Sequence, residues 1–139
     1  MNILIIDGQG GKIGSMIISL LKKVLPGQEI TAIATNSIAT SAMLKAGADK
    51  GASGENPVVV NAEKADIIAG PLGIVIANSM LGEVTPKMAE AVGGSKAQKL
   101  LIPTNACNII VIGTESLSIN EIILIAVDRI EKIIKNSCN

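Results

Sequence analysis

The chain opens with a four-residue apolar run, Ile3 to Ile6, that stops at Asp7 and passes through Gly8, Gly10, Gly11 and Gly14 into a pattern of helical period. A strand that turns through glycines straight into a helix restricts what can follow. The helix must pack back onto its own sheet, so the next strand runs parallel to the first. The positions Ile13, Met16, Ile17, Leu20, Leu21 and Val24 predict a helix from about Gly11 to Leu25. Lys22 and Lys23 favour its last turn, and Pro26-Gly27 stops it.

The alternation continues along the chain. Strands are expected at Asn2 to Ile6, about Glu29 to Ala34, Lys50 to Ala52, Asp66 to Ala69, Lys99 to Ile102 and, as a sixth, Asn108 to Ile112. Between them, one helix starts near Ser37 and ends before Gly47, and a short one occupies Asn56 to Ala65 with Pro57 in its first turn. Another starts at Thr85-Pro86, as N-cap and first helical residue, and ends at Gly93-Gly94. The segment Leu72 to Leu81 fits a strand or a buried helix equally. A last helix from about Ser118 to Asn136 carries a stripe of Ile119, Ile122, Ile123, Ala126, Val127, Ile130, Ile133 and Ile134. Leu124 and Ile125 point off that stripe and suggest either a subunit contact or a broader buried face. This is the pattern of an α/β domain over residues 1–139, with a mostly parallel sheet covered by helices on both faces.

Composition removes several function classes. Twelve basic and twelve acidic residues cancel without a basic run, and Phe, Tyr and Trp are absent, so no nucleic-acid partner is expected. The longest uncharged runs, between Asp66 and Glu83 and between Lys99 and Glu115, fall short of the ~18 to 20 apolar residues of a spanning helix. With no basic n-region at the start and only Cys107 and Cys138 as thiols, a cytoplasmic location is expected. The apolar excess, 48% of residues, reads as buried strands plus a homo-oligomer contact. Without His there is no Ser-His or Cys-His nucleophile pair and no His-ligated zinc, and two distant cysteines make no four-cysteine site.

The glycine turn carries the ligand chemistry. A helix N-terminus presents backbone N–H groups and about half a positive charge, and glycines let a phosphate approach the backbone closely. The run I-D-G-Q-G-G-K-I-G resembles the V-T-G-x-x-G-x-x-G turn of extended short-chain dehydrogenases and related NAD(P)-binding Rossmann domains. The resemblance covers the first strand through the early first helix. It implies a Rossmann-like fold, NAD or NADP as candidate cofactors, and a phosphorylated small-molecule ligand held by Gly8, Gln9, Gly10, Gly11, Lys12 and Ile13. Gly14 lets the helix pack close to the sheet. Asp7 stands where that family has Thr, and the family's catalytic Tyr-x-x-x-Lys has no counterpart in a chain without Tyr.

Ligands of open parallel sheets bind beyond the carboxyl ends of the strands. The second strand ends in Ala34-Thr35-Asn36-Ser37, without the carboxylate that usually holds an NAD ribose. Asn36 and Ser37 are candidates for a ribose hydroxyl or for capping the following helix. Asn78 and Ser79 interrupt an apolar stretch, and a buried Asn78 would need a partner or a ligand. Asn105 follows the fifth strand. Glu83 is a candidate base or a favourable charge near a helix N-terminus, and Cys107 a candidate thiol. Over its full length, through I-D-G-Q-G-G-K-I-G, A-T-N-S-I-A-T-S-A-M-L-K-A-G-A-D, G-E-N-P-V-V-V-N-A-E-K-A-D-I-I and A-N-S-M-L-G-E-V-T-P-K-M-A-E-A-V-G, the chain is similar to a small family of short bacterial proteins recorded as a domain of unknown function. The expected role is a nucleotide- or dinucleotide-binding protein. The alternatives are a small enzyme acting on a phosphorylated metabolite through Asp7, Glu83 or Cys107, and a ligand-free oligomeric scaffold.

Overall fold

Ile3 to Ile6 have no polar side to offer water, so the strand they form must be covered on both faces. In the computed structural model, which describes residues 1–104 and 108–139, β1 (Ile3–Asp7) is buried along its whole length. It pairs in parallel with β2 (Ile30–Ala34) on one side and β4 (Ile67–Pro71) on the other. β3 (Lys50–Ser53) extends the sheet beyond β2, and β5 (Gln98–Ile102) beyond β4. The order β3-β2-β1-β4-β5, all parallel, is Rossmann-like. It reverses between β1 and β4, which places a crevice at the carboxyl ends of those two strands.

The helices divide between the two faces by the side chains they share with the sheet. α1 (Lys12–Val24), α2 (Ser37–Lys45) and α5 (Ile119–Ser137) cover one face, where Ile17, Leu21, Met43, Ile123 and Ile130 pack on Ile3, Ile5 and Ile67. α3 (Glu55–Lys64) and α4 (Pro86–Gly93) cover the other, where Val58, Met88 and Val92 meet Leu4, Ile6 and Ile68. Thr85 caps α4 as its sequence suggests: its hydroxyl accepts from Met88 N at 3.1 Å, with Pro86 at the first helical position. No helix among the described residues is long and apolar enough to cross a membrane.

Three expectations change. Asn108 to Ile112 forms no strand, and Ile110 and Ile112 are 78% and 83% exposed. A β-branched run becomes a strand only where a neighbour accepts it, and none of the described strands does. Ile119 is 38% exposed and not part of the buried stripe, because α5 begins with it and the first buried residue, Ile123, comes one turn later. Leu72 to Leu81 is neither strand nor long helix. A single 3₁₀ turn, Leu72–Val75, leads into tight turns in which Asn78, Met80 and Leu81 all have positive φ (65°, 56° and 58°).

Gly70 sets how closely β4 approaches β1. A Cβ there would stand far inside van der Waals contact of the Ile6 carbonyl oxygen, so only glycine is accommodated.

Candidate functional site

The site is built where β1 gives way to α1. Asp7 closes β1 and is almost fully buried. Its two carboxylate oxygens accept from Gly8 N and Gly14 N, each at 2.7 Å. Asp7 therefore ties the turn to the first turn of α1, whose N-cap, Gly11, has no side chain to do so. Burial is the largest influence on its acidity and pushes the carboxyl above the ordinary value. The hydrogen bonds from Gly14 and Gly8 oppose that rise, and the nearby Glu83 charge adds to it.

The glycines of the turn are explained mainly by the protein's own packing. A Cβ on Gly8 would lie 2.6 Å from both Met80 Sδ and Thr35 Oγ1. On Gly11, at φ 72°, it would lie 2.9 Å from the Ala39 backbone, and on Gly14 it would lie 2.5 Å from Met43 Sδ and 3.1 Å from Asp7 Cβ. Gly14 thus brings the helix close to β1, as the sequence suggested. The space a Cβ would take beside Gly8 and Gly11 is filled by Met80, Thr35 and Ala39, so the protein's own packing already requires glycine at both positions. Gly10 is different: it is exposed, and a Cβ there meets nothing within 4 Å. The N–H groups of Gly10 and Lys12 donate to no described residue, and both residues are exposed.

The feature least visible in the sequence is the reach of Glu83. The loop from Ile76 to Val84 folds back over the turn, closed by Asn78 N donating to the Val84 carbonyl at 2.7 Å. Glu83 Oε1 accepts from Gln9 N at 2.9 Å, from Thr35 Oγ1 at 2.5 Å and from Asn36 Nδ2 at 2.8 Å. A carboxylate thus stands at the carboxyl end of β2, where that strand's own sequence has none. Burial works against its charge, and the bonds from Thr35, Gln9 and Asn36 outweigh burial and hold the carboxyl below the ordinary range. Oε2 accepts from no described residue. No local signal announces this contact, because Thr35 and Glu83 are 48 residues apart.

The other expected site residues fall into three groups. Asn36 joins the site and is also the N-cap of α2: Oδ1 accepts from Ala39 N at 2.8 Å, and Nδ2 donates to the Gln9 carbonyl at 2.9 Å as well as to Glu83. Ser37 is the exposed first residue of α2 and caps nothing. Ile13 packs toward the hydrophobic core. Ser79 is buried and turned inward, donating to the Gly73 carbonyl at 2.5 Å, so it braces the loop. Asn78 is exposed, which removes the burial argument for a ligand there; its positive φ is one that Asn tolerates. Asn105 and Cys107 lie outside the described residues. Glu55, which sequence reasoning passed over, accepts from Thr85 Oγ1 at 2.6 Å and ties the start of α3 to the cap of α4.

Taken together, these residues form a rim at the carboxyl edge of the sheet. It offers two free backbone donors and the Lys12 cation at the turn, and one carboxylate oxygen at the end of β2. Such a rim can hold an anion and a hydroxyl-bearing group side by side. A protein-family model described as Domain of unknown function (DUF3842) matches residues 2–135. No curated protein and no solved structure matches the chain.

Proposed function

The chain belongs to the family described as Domain of unknown function (DUF3842), and from that premise we propose that it binds a nucleotide or dinucleotide, NAD or NADP among the candidates, at the carboxyl edge of its sheet. The observation that carries this reading is the open face of the turn at Gly10. Its N–H and that of Lys12 are unspent, its Cβ position is free, and the Lys12 ammonium and the α1 dipole favour an anion there. The position at the strand-order reversal supports the same ligand class.

The test is a dye-based thermal melt against NAD, NADP, ATP, FAD and sugar phosphates, suited to a chain with no Trp or Tyr. A ligand at a hundred times its Kd stabilises the fold by about 2.7 kcal/mol. Gly10→Val is the matching variant, because its Cβ would meet nothing within 4 Å while its methyls add bulk at the open face of the turn. It is expected to melt like the parent and to lose the shift. Gly11→Val is unsuitable, since its side chain would meet the Ala39 backbone. No shift by any ligand of the panel overturns the reading.

Self-association is a second reading. It is favoured by Leu124 and Ile125, each 56% exposed on the outer side of α5.

A further inference from the structure

We propose that the chain carries a second binding site, at the amino edge of its sheet, which takes a small free amino acid with a short aliphatic side chain. The site shares no residue with the carboxyl edge and stands independently of the nucleotide reading.

The site follows from how the helices are divided. The crossovers from β1 to β2 to β3 leave α1 and α2 on one face, where α5 joins them. Only α3 and α4 remain to cover the other face of five strands. Between α3 and the β3 edge that face is left open as a groove of about 320 Å³, near the lower end of the ~300–1,000 Å³ of small-ligand sites. Leu4, Thr31 and Lys50 lie side by side on its floor, paired across β1, β2 and β3, with Ile33 and Ala52 two residues further along. Thr31 faces the same way as Ile33, because alternate residues of a strand share a face. Asn61, Lys64 and Ala65 line the groove from the carboxyl end of α3, and Asn2 and Glu29 from just ahead of β1 and β2.

The polar groups of the groove are left unspent in two complementary sets. A parallel sheet face sealed by a helix carries an aliphatic residue where Thr31 stands. The Thr31 hydroxyl and the Lys64 ammonium have no partner among the described residues. Asn61 and Asn2 donate Nδ2 to the Pro57 and Lys64 carbonyls, at 2.8 and 3.0 Å, and keep Oδ1 free. Glu29 gives Oε1 to Lys50 Nζ at 2.8 Å and keeps Oε2. The carboxyl end of α3 adds about half a negative charge. The groove thus holds donors for a carboxylate, Thr31 and Lys64, beside acceptors for an ammonium, Asn2, Asn61 and Glu29. A lone carboxylate or a lone amine uses one set and leaves the other unpaired. A free amino acid uses both, and Leu4, Ile33 and Ala52 give its side chain an apolar floor.

Amide NMR titration of the whole chain with alanine, valine and leucine tests this, beside isovalerate and isobutylamine, which are valine without its amino group and without its carboxylate. At least one of the three amino acids is expected to shift the amides of Thr31, Lys50, Asn61 and Lys64 saturably. Isovalerate and isobutylamine should bind on the order of tenfold more weakly than valine. Thr31→Val keeps a β-branched residue in the strand. It is expected to fold as the parent does and to lose about tenfold in affinity for the amino acid. Lys64→Gln should lose a similar factor for valine and leave isobutylamine unaffected, because only the carboxylate meets Lys64. No saturable shift by any of the three at roughly 20 mM overturns the inference. Shifts confined to the carboxyl edge overturn it, as does isovalerate or isobutylamine binding as tightly as valine. Affinity unchanged in both variants places the ligand elsewhere and overturns it too.

Discussion

Gln9 and Glu83 are 74 residues apart in the chain, and the backbone N–H of the first donates to Oε1 of the second at 2.9 Å. Gln9 has a φ of 47°, a conformation uncommon for a residue with a side chain. The carboxylate therefore holds in place a turn that local preference alone would not favour. Glu83→Ala leaves Gln9 N, Thr35 Oγ1 and Asn36 Nδ2 without their acceptor, and is expected to lower stability by roughly 1–3 kcal/mol in denaturant melts. A loss below a few tenths would show that water replaces the carboxylate freely.

Asp7 and Glu83 give stability opposite dependences on pH. Asp7 is raised above the ordinary 3.8, chiefly by burial. The folded state holds that proton more tightly than the unfolded chain, so the contribution is full below 3.8 and is lost as pH rises through the raised value. Glu83 is lowered from 4.5, so its contribution is present above 4.5 and is lost as pH falls through the lowered value. In melting temperature against pH, Asp7→Asn is expected to remove the decline above 3.8, and Glu83→Gln the part of the acid-side decline that Glu83 carries. An Asp7→Asn profile that parallels the parent above 3.8 would contradict the first assignment.

Two glycines should respond in opposite ways to alanine. Gly70→Ala drives a methyl into the Ile6 carbonyl and is expected to cost about 3 kcal/mol or more, seen as a large drop in melting temperature or as insoluble protein. Gly10→Ala meets nothing within 4 Å, and is expected to stay within about 0.5 kcal/mol of the parent.

Asn36 caps α2 and also donates to Gln9 and Glu83. Asn36→Ala is expected to cost about 2 kcal/mol, above the ~1 kcal/mol of a typical cap, because partners in the turn are orphaned as well. Asn36→Asp keeps the cap and sets a second carboxylate against Glu83. Relative to the parent, it should be less destabilised at pH 4 than at pH 7.

Leu124 and Ile125 bear on assembly. Sedimentation velocity is expected to show the parent as a dimer or larger species, and the double variant Leu124→Glu, Ile125→Glu as a monomer with an unchanged circular dichroism spectrum. A monomeric parent at high concentration would assign those side chains to solvent.

Much of the architecture was legible because its signals are local. β1, the turn and α1 follow from one apolar run, four glycines and a helical stripe, and the start of α4 follows from Thr85-Pro86. Asn36 and Ser37 were both candidates for the cap of α2, and Asn36 fills it, a choice that cap preference alone does not resolve because both residue types serve. The sixth strand failed because Ile109 to Ile112 read as a strand by composition, while strand formation depends on a neighbour. The candidate site was half legible. The turn was visible, but the carboxylate at the end of β2 was sought within β2, and it comes from a loop whose path is set by left-handed residues and by Ser79 anchored on Gly73. Long-range contacts of that kind leave no periodicity to read.

Gly70 has a consequence for how the ligand proposed above for the carboxyl edge would reach its site. Since β4 already lies against the Ile6 carbonyl with no side chain between them, the floor of the crevice is rigid, and β1 and β4 cannot part without breaking the sheet. Any yielding on entry of such a ligand would fall to the loop from Ile76 to Val84, where Gly82 at φ 89° sits beside Glu83. Glu83 pins that loop to the turn through Gln9, so a guest of the proposed kind would find the turn already shaped and would approach it from the open side at Gly10.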